Sequence, residues 1–257
     1  MGTTSSTGGW GWGFAGSDGS APGASYAAKV LSTSPIAYWP LRETSGTTAT
    51  CLVNSAQNGT YARNVSTMTT GTGIGDGGTA PLFDGSSDRV AIYSATLASA
   101  FNGAEGTVMA WVKASGASWW ELGNEGTPVI IRVDGNNELY FEKDDNVTDE
   151  LKFRYEAGGV QRGLLSGSLS TPLGWLCVVW TWSATADEAK AYVGGSQVST
   201  TQTGLGVWAG SLTDNDGCMI GSDDGAAPSD VWSGYLAHVA LWSSALSAAT
   251  ITTLASV

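Results

Sequence analysis

Short stretches in which apolar and polar side chains alternate recur along this chain, and they constrain its fold more than any other feature. LKFRYE (151–156) places Leu151, Phe153 and Tyr155 on one side and three charged residues on the other. GTVMAWVK (106–113) has the same period of two. Because successive side chains of a β-strand point to opposite faces, this period predicts strands.

WLCVVWTW (175–182) is apolar at almost every position, which is typical of a central strand covered on both faces. Gly-rich turns such as VDGNNE (133–138) separate the candidate strands. Further strands are predicted at VIIRV (129–133), ELYFEK (138–143), AKAYVG (189–194), CMIGS (218–222) and YLAHVALW (235–242). The one helix that the sequence predicts lies near the C-terminus, where Ser247 caps it and Ile251 and Leu254 pack onto the sheets. This pattern predicts an all-β fold, a two-sheet antiparallel jelly-roll sandwich with one short C-terminal helix.

The excess of acidic over basic residues limits the kinds of molecule that this chain can bind. The chain of 257 residues carries 11 basic and 23 acidic residues, a net charge of −12. A nucleic-acid-binding protein must neutralise phosphates with clustered Lys and Arg, and an anionic membrane surface makes the same demand. We therefore expect no nucleic acid and no membrane as partners, and a cation such as Ca²⁺ or a neutral glycan fits the balance better.

Residues 1–25 differ in composition from the rest and are predicted to be a Gly/Ser-rich N-terminal arm ahead of one domain over 26–257. The arm contains TGGWGWGF (7–14), in which Trp10, Trp12 and Phe14 are set among glycines. We interpret these three rings as assembly anchors, which insert into a neighbouring subunit while the glycines let the backbone lie flat. The alternatives are an arm that folds back on its own domain or an artefactual start. The arm shows no secretory signal pattern, and no apolar run in the chain approaches the roughly 18 residues of a membrane span.

Five segments in chain order carry a family resemblance. They are SPIAYWPLRETSGTTAT (34–50) with the turn NGTY (58–61), LFDGSSDRVAI (82–92), GTVMAWVKAS (106–115), GWLCVVWTWSATADEAKAYVGGSQV (174–198) and IGSDDGAAPSDVWSGYLAHVALWSSALSAATI (220–251). Together they resemble the laminin-G-like, concanavalin A-like jelly rolls and extend over about 26–257. The resemblance implies a jelly roll of the carbohydrate-binding type. It is incomplete at Cys51, where the family often has Asp, and at Ala237 and His238, where it often has paired acids. If the family's cation site uses those carboxylates, its ligands are missing here.

Catalytic residues are not predicted. His238 is the single histidine, lies within a predicted strand, and is interpreted as a hydrogen-bonded framework residue instead of a general base. Jelly-roll glycosidases of the laminarinase type resemble E-x-D-x-x-E, with one carboxylate as nucleophile and another as acid/base. The nearest match begins at Glu142 and places Val147 at the acid/base position, and valine cannot move a proton. The chain is therefore predicted not to be an enzyme.

Calcium is a predicted cofactor, because related folds often carry a structural Ca²⁺ and this chain has several acidic loops. Ca²⁺ prefers six to eight oxygen ligands from carboxylates, carbonyls and water. Among the acidic loops, Asp223 and Asp224 are the first candidates for metal ligands. The alternative for each loop is a solvated acidic turn.

Glycan binding would use aromatic faces together with polar loop groups. Trp119, Trp120, Trp208 and Trp232 lie in turn-like contexts and are the candidate carbohydrate-binding residues. Packing in the core is the alternative for each of them. Trp119 and Trp120 would point to opposite faces if they lay in one strand, so that at least one would be core.

Three cysteines are too few for a disulfide scaffold. Cys177 lies within WLCVVWTW and is interpreted as a buried apolar residue. A bond between Cys51 and Cys218 is left open.

The expected function is that of a non-enzymatic bacteriophage virion surface protein, either a capsid decoration or a tail or fibre component. Its arm would bind neighbouring virion subunits, its jelly roll would bind a host surface glycan, and the protein would be a homo-oligomer. The pattern at 34–50 also resembles that of laminin-G-like domains on phage particles. The alternative is a bacterial cell-surface lectin or a glycosidase accessory module that binds polysaccharide.

Overall fold

The computed structural model describes residues 25–169, 173–214 and 216–257. The predicted anchors Trp10, Trp12 and Phe14 lie outside the described residues. Within this part of the chain the strands are β1 Ala37–Trp39, β2 Thr48–Ala49, β3 Gly59–Tyr61, β4 Thr70–Thr72, β5 Thr79–Asp84, β6 Val90–Ala91, β7 Glu105–Ala114, β8 Gly126–Asp134, β9 Asn137–Lys143, β10 Leu151–Ala157, β11 Val160–Leu165, β12 Leu176–Ser183, β13 Glu188–Val193, β14 Ser196–Gln202, β15 Cys218–Ile220 and β16 Ser233–Trp242. The helices are α1 Tyr26–Leu31, α2 Ala95–Ala100 and α3 Ala248–Leu254.

The strands form two antiparallel sheets. The back sheet has the order β14-β13-β12-β7-β16-β5-β4, and β1 also pairs with β16. The front sheet has the order β11-β10-β9-β8-β15-β6-β3-β2. Strands distant in the chain lie side by side in both sheets, as β8 and β15 do, which is the connectivity of a jelly roll. The predicted all-β sandwich is confirmed.

The main core lies between the two sheets and follows the predicted alternation. Leu151, Phe153 and Tyr155 of β10 are buried in it, at 1% exposure or less. From the back sheet, Trp180 and Trp182 of β12 face the same layer, and Phe153 stacks on Trp180 with ring centroids 5.9 Å apart. Large aromatic rings therefore provide much of the apolar area that this sandwich buries.

The other face of the back sheet is also buried, as the all-apolar stretch at 175–182 predicts. Cys177 and Val179 of β12 point away from the main core into a second cluster, which α1 and α3 cover. Trp111 of β7 donates a 2.6 Å hydrogen bond from Nε1 to the hydroxyl of Tyr26 in α1. The Tyr26 hydroxyl in turn donates to the carbonyl of Leu254 in α3, at 2.7 Å. This chain of contacts fixes both helices on the back sheet.

The predicted C-terminal helix is confirmed, and two more short helices accompany it. Ser247 caps α3 by accepting a hydrogen bond from the Thr250 N–H at 3.2 Å. Ser25 caps α1 and Ser94 caps α2 in the same way. Helices α1 and α2 have six residues each, too few for a helical period to appear in the sequence. None of the described helices has the length and apolar character of a membrane span.

The three cysteines are free and buried, so the bond considered between Cys51 and Cys218 is not formed. Cys177 is the buried apolar residue that its context predicts, with 1% exposure. Burial raises the pKa of the Cys218 thiol to about 12. These cysteines act as small apolar core residues, not as reactive thiols.

Candidate ligand-binding cleft

The outer face of the front sheet carries the polar half of the alternating strands. On β8, β9 and β10 the outward residues are Ile130, Arg132, Glu138, Tyr140, Glu142, Lys152, Arg154 and Glu156. Three of them are carboxylates and three are cations, so the sheet face is close to charge balance. The register places Lys152 opposite Glu142 and Arg154 opposite Tyr140.

Ion pairs hold this face together. Lys152 Nζ lies 2.6 Å from Glu142 Oε1 and 3.2 Å from Asp144 Oδ2. Arg154 Nη2 lies 3.3 Å from Glu138 Oε1 and also pairs with Glu156. Each of these acids is therefore paired with one of two cations of β10.

Tyr140 lies at the centre of this network. Arg154 Nη1 donates a hydrogen bond to its hydroxyl at 3.0 Å, and the guanidinium carbon lies 5.5 Å from its ring centroid. The ring packs with Ile130 and Met219 into a small apolar cluster on the outer face of the sheet. The face thus combines an apolar patch with hydrogen-bonding groups on both sides.

A cleft lies over this network. It has a volume of about 160 Å³ and is lined by Thr127, Ile130, Arg132, Glu138, Tyr140, Glu142, Asp223 and Asp230. A neighbouring depression of about 330 Å³ is lined by Thr60, Tyr61, Ala62, Arg89, Ala91, Asp216, Met219 and Gly225. Arg132 Nη2, which donates to the carbonyl of Asp216 at 3.0 Å, lies between the two.

The carboxyl groups of the cleft are partly desolvated. Burial raises the pKa of Glu138 and of Glu142 despite the neighbouring cations. Burial, together with the charge of Asp223, also raises the pKa of Asp230. Burial and then the charge of Asp230 raise the pKa of Glu125, at the end of the cleft, to about 7. These groups are more ready to accept or share hydrogen bonds with a ligand than fully hydrated carboxylates are.

Asp223 and Asp224, the predicted metal ligands, lie in the loop beside the cleft. Although burial opposes the shift, hydrogen bonds from the N–H groups of Ser229 and Asp230 lower the pKa of Asp223. Asp224 accepts from the Ala226 N–H at 2.7 Å and from Arg132. Over residues 25–169, 173–214 and 216–257, no group of three or more His, Cys, Asp or Glu side chains could hold a metal ion. Calcium at Asp223 and Asp224 remains a prediction.

Two of the four predicted sugar platforms are core residues instead. Trp232 is fully buried and Trp120 is 1% exposed. Trp232 packs edge-to-face against Trp119 and Trp120, with centroids 6.0 and 6.5 Å away. The prediction that Trp120 and Trp232 bind sugar is wrong, because protein atoms cover both rings. The turn that holds Trp119 and Trp120 is a short 3₁₀ helix, and it directs both indoles inward.

Trp119 and Trp208 are only partly buried, and they pack on the main core. Trp208 lies edge-on to Phe101 at 5.5 Å and next to Tyr155 at 5.9 Å, measured between ring centroids. A Cβ added at Gly103 would lie 2.1 Å from the Trp208 ring, so this glycine is what lets the indole approach the backbone. Sugar binding by Trp119 and Trp208 stays a prediction.

His238 is the buried framework residue that the sequence predicts. Its Nδ1 lies 2.6 Å from the Tyr38 hydroxyl, with which it shares a hydrogen bond, and its Nε2 lies 2.9 Å from Asp76 Oδ2. The Asp76 carboxylate also pairs with Arg42. Burial, and then the charge of Arg42, lower the pKa of His238 to about 3.

The sequence reasoning missed the residues that line the cleft. The sequence predicts Arg132, Glu138 and Tyr140 only as parts of strands, and Arg154, which pairs with Glu138 and Tyr140, only as an outward residue. The available signal was their alternation in ELYFEK (138–143) and in LKFRYE, which puts charged side chains on one face of adjacent strands.

Solved structures of low sequence identity share this fold. Domain 4 of AbnA, an extracellular GH43 arabinanase from Geobacillus stearothermophilus solved with arabinotriose, is 14% identical with a TM-score of 0.57. The match covers 86% of this chain and 98% of that domain. The binding domain of Paraclostridial Mosquitocidal Protein 1 is 11% identical with a TM-score of 0.64, over 88% of this chain and 52% of that one. The botulinum neurotoxin serotype D binding domain is 17% identical with a TM-score of 0.58, over 86% of this chain and 50% of that one.

The chain thus spans about half the length of the two toxin domains, and this likeness establishes the fold alone. No curated protein sequence matches the chain. The Laminin_G_3 family, described as concanavalin A-like lectin/glucanases, matches residues 98–252, which include β7 through β16 and most of α3. The chain therefore belongs to the concanavalin A-like lectin/glucanase superfamily.

Proposed function

We propose that this chain is a non-catalytic carbohydrate-binding module whose ligand lies in the cleft of the front sheet. The observation that carries the proposal is the balanced row of carboxylates and cations around Tyr140. Sugar hydroxyls both donate and accept hydrogen bonds, and their ring C–H groups pack on apolar surfaces. A face that offers carboxylate acceptors, guanidinium donors and an apolar patch matches both properties.

The charges of this face favour a neutral ligand over an anionic one. Lys152 and Arg154 each pair with two carboxylates, so an anionic ligand would have to displace these acids from their cations. A binding role is favoured over a hydrolytic one because the nearest glycosidase-like motif, which begins at Glu142, has Val147 at the acid/base position. The arabinotriose bound to the arabinanase domain is consistent with a neutral oligosaccharide.

The first prediction concerns Glu138 in the cleft. Replacing Glu138 by Gln keeps the shape of the side chain and removes a charged acceptor, so affinity for a bound oligosaccharide falls about tenfold to a hundredfold. An array of bacterial and plant polysaccharides identifies a ligand, and calorimetric titration of the derived oligosaccharide measures the affinity. Glu188→Gln is the matched control, because Glu188 lies on the back sheet and pairs with Lys190.

Two results would contradict the proposal. Absence of binding to every polysaccharide would exclude a carbohydrate ligand, and unchanged affinity of the Glu138→Gln variant would move the site elsewhere, with Trp119 and Trp208 as the next candidates. Repeating the titration with a chelator tests calcium at Asp223 and Asp224. If these residues hold Ca²⁺, the chelator lowers the affinity of the wild type and leaves that of an Asp223→Asn variant unchanged.

We further propose that the module is displayed on the surface of a bacteriophage virion, with residues 1–25 as its anchor. The aromatic side chains Trp10, Trp12 and Phe14 within a Gly-rich arm support this role. Helix α1, which follows the arm, packs on the back sheet through Tyr26 and Val30. Because α1 lies on the back sheet, an arm attached to it leaves the cleft on the front sheet free to meet a host glycan.

The second prediction tests the anchor. Deleting residues 1–24 keeps the Ser25 cap of α1, so the domain folds and binds its glycan as the wild type does. We expect the deleted protein to be lost from purified particles, measured by immunoblot of virions banded in a density gradient. Replacing Trp10, Trp12 and Phe14 together by Ala should have the same effect. Normal incorporation of both variants would rule out the anchor.

A glycosidase accessory module or a bacterial cell-surface lectin is the second candidate. One observation favours it, namely that the match with the arabinanase domain covers 98% of that domain. Neighbouring genes distinguish the two settings, since capsid and tail genes favour the virion and a polysaccharide-utilisation locus favours the accessory module.

A further inference from the structure

The last residue of β9, Lys143, is completely buried, which is rare for a lysine. It follows Glu142 in the strand, so its side chain points to the inner side of the front sheet while Glu142 points into the cleft. A buried ammonium must find hydrogen-bond acceptors, because its desolvation is otherwise too costly.

Four backbone carbonyls surround the ammonium. Lys143 Nζ donates to the carbonyls of Val147, Asn124 and Glu121 at 2.8, 3.2 and 3.3 Å, and to that of Asp144. The acceptors come from two separate segments, the loop before β8 and the loop after β9. An enclosure of main-chain oxygens around one positive charge is the kind of environment that proteins provide for hard metal cations.

The two loops depend on each other for their structure. The Gly123 N–H donates to the carbonyl of Asp145 at 2.8 Å, and the Asp149 N–H donates to the carbonyl of Trp120 at 3.0 Å. Both loops adjoin the cleft, one through Glu125 and the other through Asp144, which pairs with Lys152. Their order therefore sets the shape of this end of the cleft.

The surrounding charges favour the ammonium form. Burial lowers the pKa of Lys143, and the carboxylates of Asp144, Asp145 and Asp149 oppose that effect. The acidic loop at 144–149 thus already lies against a cation of the chain itself.

We propose that Lys143 is a resident cation, whose ammonium occupies the position of a bound metal ion and orders the loops 121–125 and 144–149. These loops consequently need no dissociable cation. The inference does not depend on what the cleft binds, since it concerns the order of the loops and not the ligand.

The wild-type protein supplies the first test. Hydrogen exchange read by mass spectrometry or NMR reports the protection of the Gly123 and Asp149 amides. We expect protection in buffered EDTA to equal protection in millimolar CaCl₂. Protection that appears only with calcium would overturn the proposal.

Two variants supply the second test. In Lys143→Ala the oxygens lose their cation and a space opens, so protection of both amides falls at least tenfold. Ammonium chloride restores it because NH₄⁺ makes the same N–H···O contacts, whereas tetramethylammonium chloride at equal ionic strength does not. Lys143→Met fills the space without a charge and is not rescued by either salt. Lys190→Ala, a surface change on the back sheet, leaves both amides protected.

Should Lys143→Ala fail to fold in plain buffer, the yield of refolding in the two salts becomes the measurement, with recovery expected in ammonium chloride alone. Equal behaviour in both salts, or full protection in Lys143→Met, would show that the charge is not needed and would overturn the proposal.

Discussion

Replacing Trp232 by Ala lowers the free energy of unfolding by about 3–5 kcal/mol, the range for removing a fully buried tryptophan. The indole fills the space between Trp119 and Trp120, and no side chain nearby can move into that space without leaving its own contacts. The residue also has a backbone role, because its N–H donates to the carbonyl of Gly221 at 3.0 Å. That hydrogen bond survives the substitution, so the loss measures the removal of the indole, whose buried Nε1–H has no hydrogen-bond partner among the described residues.

Urea denaturation followed by circular dichroism gives this free energy. Trp232→Phe keeps part of the volume and should lose less stability than Trp232→Ala. Trp208→Ala is the comparison at a partly exposed tryptophan and should also lose less. A loss below about 1 kcal/mol for Trp232→Ala would show that the indole does not contribute to the core as its burial indicates.

The protein loses stability in acid because His238 must stay neutral in the folded state. Its pKa is about 3 when folded and about 6.5 when unfolded, so between these values the unfolded chain binds a proton that the folded chain does not. The free energy of unfolding therefore falls, by about 1 kcal/mol for each pH unit, as the pH drops below 6.5. Above pH 6.5 the contribution is complete and constant.

His238→Asn isolates this effect from that of the carboxylates. Asparagine tolerates the backbone φ of 50° at this position and does not titrate. The variant is less stable than the wild type at pH 8, and the difference between them shrinks by about 2 kcal/mol by pH 4.5.

Proton NMR offers a direct check, because the chain has a single histidine. The imidazole Cε1–H resonance of the wild type should not titrate between pH 8 and 4.5. A midpoint near pH 6 would show that the ring is protonated in the folded state and would remove the predicted slope.

The sandwich was predictable because burial on a β-strand leaves a period of two in the sequence. LKFRYE shows which side chains of β10 face the core, and the apolar stretch at 175–182 shows that β12 is covered on both sides. The cleft was not predictable in the same way. Its position depends on which strands become neighbours, and the pairing of β8 with β15 joins residues about 90 positions apart.

The tryptophans and His238 show a second limit. Trp232 lies in a turn-like sequence context, yet it directly precedes β16, next to the bridge between Val231 and Thr127 of β8, and its indole lies in the core. The partners of His238 come from β1 and from a Gly-rich loop around Asp76, and the backbone irregularity between Ala237 and Ala240 turns the ring towards them. No local pattern in the sequence specifies these long-range contacts.

The position of α1 on the back sheet also affects how strongly several copies of this module together bind a glycan-coated surface. Copies attached side by side through their N-terminal ends would all present their clefts in one direction. Each further cleft then engages at a high effective concentration, so avidity can exceed single-site affinity by about 10²–10⁴ with no new contact. A cleft of weak affinity would then suffice for firm attachment, and the release of single sites would still let the whole array move across a glycan layer.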